Sequence, residues 1–203
     1  MSQNGKTVEE WFQLGFHAEY PEDKIRYYSK VLEIDSKDKL TWNDRAMALV
    51  WTNKGIAHCD LGEYVDAIAC FEKALELDDT NPHIYYNKGV TNSELQQYEL
   101  AAECFDMTLQ IDPDYDHARI NKGMMLDILG DPESAIECFE NINIDVGLDE
   151  KRAIVLNQKG ISYLHLGCYE DAVSCFAKAL NIDPEYRDAK NNMEISMDKL
   201  SGE

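Results

Sequence analysis

The tripeptide Asn-Lys-Gly recurs along this chain at residues 53–55, 87–89 and 121–123, and a near copy, Gln-Lys-Gly, stands at 158–160. The first two intervals are 34 residues and the third is 37. The same spacing carries leucine at Leu61, Leu95, Leu129 and Leu166, alanine at Ala67, Ala101, Ala135 and Ala172, and phenylalanine at Phe71, Phe105, Phe139 and Phe176. Glycine and phenylalanine stay 16 residues apart in every unit, so the three extra residues fall in NINIDVGLDEKRA, between Phe139 and Gly160. A fixed period of this kind means a tandem array, in which sequence neighbours are also packing neighbours. No other feature restricts the fold as strongly.

Each period divides into two helical patterns with a turn between. Residues 48–60 place Leu49, Trp51, Ile56 and Cys59 at helical steps, and a turn follows at Leu61-Gly62-Glu63-Tyr64. DAIACFEKALELD (66–78) then sets Ala67, Cys70, Phe71, Ala74, Leu75 and Leu77 on one face. Asp-Pro closes two units, at Asp112-Pro113 and Asp183-Pro184, where proline stops a helix from continuing. The expected class is all-α, built from stacked helix hairpins. Glycine inside a helix costs about 1 kcal/mol against alanine, so the column Gly55, Gly89, Gly123 and Gly160 implies a compensating gain. The expected gain is close approach of the two helices, with the alanine column as small partners and the phenylalanines beside that contact.

Composition narrows function. With 44% apolar residues the chain can bury a substantial core. A net charge of −20 repels phosphate backbones and anionic lipid, so neither nucleic acid nor membrane is an expected partner. The first residues, MSQNGKTVEEWFQLG, hold no apolar signal region, and no apolar run approaches the roughly 20 residues of a membrane span. The expected location is cytoplasmic, with the six cysteines as thiols.

The columns resemble the tetratricopeptide repeat family. Its pattern is approached by Trp51, Gly55, Ala67, Phe71 and Ala74, by Tyr85, Gly89, Ala101, Phe105 and Pro113, and by Leu156, Gly160, Tyr163, Ala172, Phe176, Ala179 and Pro184. The third unit departs, with Arg119 and Ile142 where an aromatic and an alanine are usual. A degenerate earlier unit opens with Trp11-Phe12-Gln13-Leu14-Gly15 and has a glycine-to-aromatic distance of 13, so its turn near Tyr20-Pro21 is expected to be short. The resemblance implies one right-handed superhelical solenoid of repeats at about 8–38, 48–81, 82–115, 116–149 and 153–186, with a capping helix at 187–200. Thr41 to Asp44 resembles a capping box, so the first helix of the second repeat is expected to be lengthened, with Trp42 packed back on the first repeat. The capping helix is expected to set Ala189, Met193, Ser196, Met197 and Leu200 along one face. The style of the Asn-Lys-Gly column is closest to prokaryotic, particularly archaeal, members.

Chemistry-bearing motifs are weak. Cys70, Cys104, Cys138 and Cys175 form one column, but packed helices lie roughly 8–10 Å apart, too far for a disulfide or shared zinc. They read as buried packing residues, and no metal or other cofactor is expected. Asp112-Pro113-Asp114-Tyr115-Asp116 mimics a calcium loop but lacks its later glycine and glutamate. No phosphate-binding loop, nucleophile elbow or paired-histidine zinc motif is present, so no catalytic residue is assigned.

The resemblance points instead to a concave groove lined by the first helix of each hairpin. The residues it implies there are Asn53, Asn87, Asn121 and Gln158, with Tyr86, Ile120, Val90 and Met124 beside them and His83 and His117 further along. An amide donates and accepts at once, so it can satisfy an extended peptide backbone of any sequence while apolar neighbours select side chains. Alternatively, some of these amides bond only to neighbouring helices. The expected function is a non-enzymatic adaptor or assembly chaperone binding a protein or peptide partner, with a second copy of the chain also admitted. A co-chaperone gripping C-terminal carboxylates would need cations where Leu49, His83, His117, Asn87 and Asn121 stand. A metal or redox protein is disfavoured by the cysteine spacing.

Overall fold

Helix begins and ends where two kinds of turn recur. The structure, a computed structural model, describes residues 6–38, 42–142 and 149–202. They form eleven helices and no strand: α1 (Val8–His17), α2 (Pro21–Asp38), α3 (Asp44–Asp60), α4 (Tyr64–Leu77), α5 (Pro82–Glu94), α6 (Tyr98–Ile111), α7 (Asp116–Ile128), α8 (Pro132–Glu140), α9 (Asp149–His165), α10 (Tyr169–Ile182) and α11 (Arg187–Ser201). The expected all-α hairpin fold is the one observed. Two compact units divide it, Met1–Pro113 and Asp114–Glu203. In the first, α1 pairs with α2, α3 with α4 and α5 with α6, each hairpin packing on the next. In the second, α7 pairs with α8 and α9 with α10, and α11 covers α10 and α9.

The glycine column faces the aromatic column, not the alanines. A Cβ built on Gly55, Gly89 or Gly123 would lie 2.7 Å from a ring carbon of Phe71, Phe105 or Phe139, and one on Gly160 would lie 2.5 Å from Phe176. Each glycine is thus the floor under a phenylalanine ring. Phe71, Phe105 and Phe176 are fully buried there, so the ring expected beside the glycine–alanine contact is itself the group nearest each glycine. The alanine column is fully buried too, and Ala67, Ala135 and Ala172 share core clusters with the rings. The first hairpin repeats the arrangement despite its shorter spacing, with Gly15 2.7 Å from the Tyr28 ring by the same measure. The turn is not the shortened part that the sequence leads one to expect: α1 ends at His17 and α2 begins at Pro21, the same spacing as between α3 and α4. The missing residues come from α1, which stops two residues after Gly15 where α3 runs five past Gly55.

Within the later hairpins the turn takes one left-handed residue: Gly62, Gly130 and Gly167 have φ of 74°, 84° and 75°. The residue after it donates back to the carbonyl five places earlier, as in Glu63 to His58 at 2.9 Å and Cys168 to Tyr163 at 2.9 Å, which satisfies a helix-end carbonyl. In α5–α6 the left-handed place belongs to Gln96, at φ 59°. Between hairpins the chain leaves the helix at Asp78, Asp112 and Asp183, all in extended conformation. Asp78 accepts from the Thr80 hydroxyl at 2.8 Å and the Thr80 N–H at 3.1 Å, and Asp183 from the Glu185 N–H at 2.9 Å. The Thr80 hydroxyl, with its N–H and Arg45, holds the Asp78 carboxyl below the usual carboxylate range despite burial.

The lengthened α3 begins at Asp44, but its cap is Asn43, whose Oδ1 accepts from the Ala46 N–H at 2.9 Å. The expected cap Thr41 lies outside the described residues, as do residues 143–148 of the segment holding the three extra residues. Trp42 does pack back on the first hairpin, edge-on to Phe12 with ring centroids 5.0 Å apart. On α11 the expected apolar face is covered only at Ala189, Met193 and Ser196, while Met197 and Leu200 stay exposed, so the covered stripe ends at Ser196.

Two substitutions test these constraints in urea unfolding. Gln96→Gly should stabilise the protein by about 0.5–1 kcal/mol, because a left-handed non-glycine residue carries a penalty that glycine lacks. Gly89→Ala should destabilise it by about 1 kcal/mol or more, since overpacking against a buried ring outweighs alanine's better helix propensity. A more stable Gly89→Ala protein would contradict the ring-floor role.

Candidate functional site

The lysines of the recurring tripeptide are committed to the fold. Lys88 Nζ lies 3.0 Å from Glu72 on the preceding hairpin, and Lys159 Nζ lies 2.6 Å from Glu140. Both carboxylates directly follow a core phenylalanine, so the pairs join one hairpin's first helix to the previous hairpin's second. Lys54 instead lies over the Trp51 ring, 5.4 Å from its centroid.

The amides divide between structural and open roles. In the first unit Asn53 stands near the Tyr28 phenol, whose pKa burial raises while the amide pulls it the other way. Tyr28 takes the place of a phenylalanine, so its buried ring carries a hydroxyl on the side of Asn53. Asn87 donates through Nδ2 to the His83 carbonyl of its own helix at 2.7 Å. That bond uses one amide proton and leaves Oδ1 and the second proton uncommitted. Around Asn87 stand exposed His83 and half-buried Tyr86 and Val90, the Tyr86 ring resting 5.9 Å from Phe105. Leu49 remains 46% exposed on α3, whereas Thr52 is buried and bonds the Ala48 carbonyl.

In the second unit Asn121 and Gln158 are half-buried and His117 is exposed. Ile120, expected on the ligand face, is buried in a cluster with Ala135, Phe139 and Val155, and Met124 packs against that cluster. Asn157 is buried and accepts from Asn192 of α11 at 3.1 Å. This amide network ties the last helix to α9, and the period alone gives no sign of it. Asp127 and His165 meet at 2.9 Å, on adjacent first helices.

The cysteine column is largely interior. Cys70, Cys104 and Cys175 are buried and Cys138 half-buried, all as free thiols. Burial raises the pKa of the Cys70, Cys104 and Cys175 thiols, and of Cys59, which also contacts the Thr91 hydroxyl at 3.1 Å. Cys168 is exposed. His58, Glu63 and Asp66 bring one ligand atom each within 4.8 Å of one another at the α3–α4 turn. His58 and Glu63 share a 2.7 Å hydrogen bond there, closing the turn. Their spacing of five and three residues matches no metal motif, which is why the sequence does not mark them. Among the described residues no helix is long and apolar enough to cross a membrane.

Raised thiol pKa values mean less thiolate at neutral pH, hence slower reaction. With a disulfide reagent at pH 8, one fast thiol is expected, lost in Cys168→Ser, while the thiols at 70, 104 and 175 should react about tenfold or more slowly until the protein is unfolded. Fast labelling of Cys104 in the folded protein would count against its burial.

Known proteins share this architecture. Residues 48–81, 82–115 and 153–186 match one family model described as Tetratricopeptide repeat, and residues 116–142 match another of that description. No curated protein sequence matches the chain significantly. Among solved structures, MamA protein is similar at 23% identity and TM-score 0.74, covering 90% of this chain and 97% of its own. YrrB, described as a TPR protein with an unusual peptide-binding site, is similar at 24% identity and TM-score 0.76, covering 92% of this chain and 90% of its own. A tetratricopeptide repeat protein from Parabacteroides merdae is similar at 16% identity and TM-score 0.80, covering 96% of this chain and 73% of its own. Likeness at these identities is likeness of fold.

Proposed function

The chain belongs to the tetratricopeptide repeat family, and on that premise we propose that it is a non-enzymatic adaptor or assembly chaperone, holding an extended peptide segment of a partner protein against the first helices of its hairpins. The fold itself is that of a protein–protein interaction module. The observation that carries the finer reading is Asn87, half-exposed with Oδ1 and one amide proton uncommitted, set among His83, Tyr86 and Val90. A peptide backbone offers one acceptor and one donor per residue, which is what this amide can meet. In the second unit Asn121 and Gln158 take the corresponding places, with His117 and Met124 beside them and Ile120 supporting from the core. Asn53 contributes less, because Tyr28 engages it.

The peptide-binding site described for YrrB, a protein of similar fold, supports peptide as the ligand class. Capture of a C-terminal carboxylate on these helices is disfavoured, since Leu49, His83 and His117 supply no permanent cation where a clamp needs one. Thiol cysteines and an acidic surface favour the cytoplasm as the site of action.

The test is a titration with a partner captured from native lysate and then identified. An amide–backbone hydrogen bond contributes about 1–1.5 kcal/mol net, so Asn87→Ala should weaken binding by roughly 5- to 10-fold. Its melting temperature should hardly change, because alanine is the better helix former. A lower melting temperature with unchanged affinity would assign Asn87 to the fold and remove it from the binding face.

A further inference from the structure

Away from the first-helix face, one concavity of the first unit, about 460 Å³ in volume, is lined by Lys6, Trp11, Leu14, Arg26, Tyr27 and Lys30. Three of these six residues are cations and none is acidic, in a chain with 39 acidic and 19 basic residues. Trp11 and Tyr27 make an aromatic floor, with ring centroids 5.7 Å apart. Lys6 Nζ lies 5.9 Å from the Trp11 centroid, and the Arg26 guanidinium lies 4.8 Å from that of Tyr27 while donating to its hydroxyl at 2.9 Å. Arg26 also pairs with Asp23 at 2.8 Å and Lys30 with Glu33 at 2.9 Å, both in exposed i,i+3 pairs that an arriving carboxylate can share or replace. The Trp11 indole N–H is buried without an acceptor.

The other hairpins indicate what covers such a face. In two of them, the lysine just before the floor glycine meets a carboxylate of the preceding second helix, Lys88 with Glu72 and Lys159 with Glu140. In α1 the residue before Gly15 is Leu14, at the cleft, and the cations surround it. Five residues before the floor glycine, Val50, Ile84 and Val155 are buried, whereas α1 has exposed Glu10, closing a capping box with Thr7. The face therefore presents a polar side chain where the other first helices bury an apolar one.

We propose that this cleft binds a short acidic segment of a partner protein, with an apolar side chain on the Trp11–Tyr27 floor and flanking side-chain carboxylates on Lys6, Arg26 and Lys30. The site is separate from the amide face and does not depend on it. A suitable probe is a fluorescein-labelled hexapeptide, Glu-Asp-Leu-Phe-Glu-Asp, amidated at its C-terminus, followed by anisotropy with the full chain in 50 mM salt. The Gln-Asn-Leu-Phe-Gln-Asn counterpart should bind about tenfold more weakly, and Arg26→Gln/Lys30→Gln should cost the acidic probe about tenfold, as should 0.5 M salt. Lys6→Gln, which lies before α1, should weaken it about threefold without touching a helix, which keeps the test valid if the double variant unfolds. Asn87→Ala should leave this binding unchanged. Equal affinity for the acidic and amide probes, loss of binding in Asn87→Ala, insensitivity to Lys6→Gln, or tighter binding of a hexanucleotide than of the acidic probe would each overturn the proposal.

Discussion

Everything in this fold rests on a ring lying where a side chain is missing. Each first helix gives up about 1 kcal/mol of helix propensity at glycine, and a buried phenylalanine of the second helix occupies the space a Cβ would need. Full burial of that ring contributes about 1.5–3 kcal/mol, so the exchange favours the hairpin. It also fixes how closely the helices approach, because the ring can neither sink further nor be replaced by something wider. The first hairpin shows how far one atom reaches. Tyr28 replaces phenylalanine on Gly15, and its added hydroxyl is close enough to Asn53 of the next hairpin for that amide to oppose the rise in its pKa caused by burial. A change of side chain inside one hairpin is thereby felt by a residue of the next.

The recurring tripeptide accordingly has three separate jobs. Glycine is the ring floor, and at Lys88–Glu72 and Lys159–Glu140 lysine joins hairpins through the carboxylate that follows the phenylalanine. Such half-exposed pairs contribute little energy singly, roughly 0–1 kcal/mol, but their geometry holds stacked hairpins in register. Only the asparagine points away from both tasks, and only where no neighbour claims it.

Much of this is legible in the sequence because it is periodic. Period, helix order and hairpin turns follow from columns that repeat, and Trp42 packs on the first hairpin as expected because a large apolar residue outside the period has to pack somewhere nearby. What the columns do not give is which column faces which. Size alone matches glycine to alanine, whereas the nearest observed neighbour is a phenylalanine ring, lodged against the smallest residue. Position alone puts Ile120 on the ligand face, yet it is buried with Phe139 and Val155, while Tyr86 at the corresponding place stays half-exposed. Non-periodic residues are the hardest to read. Asn157 bonding Asn192, and the cations gathered around Trp11 and Tyr27, depend on contacts between elements, and no spacing rule encodes those.

Energetics limits what the proposed amide face can do by itself. Micromolar affinity requires about 8 kcal/mol, and one amide–backbone hydrogen bond supplies about 1–1.5 kcal/mol. Most of the binding free energy must then come from apolar contact, which in the first unit falls to side chains that are partly exposed: Leu49, Tyr86 and Val90. These positions differ in size and shape from hairpin to hairpin, while the amide recurs. The amides would therefore hold a backbone of any sequence, and the choice of partner would rest with the apolar residues that vary. Evolution could change the partner at Leu49 or Ile154 without disturbing a ring floor, a left-handed turn or a lysine bridge, because neither residue belongs to the glycine, turn or lysine columns. Recognition can drift in this architecture while the fold stays fixed, and a period of 34 residues keeps the two sets of positions apart on every hairpin it writes.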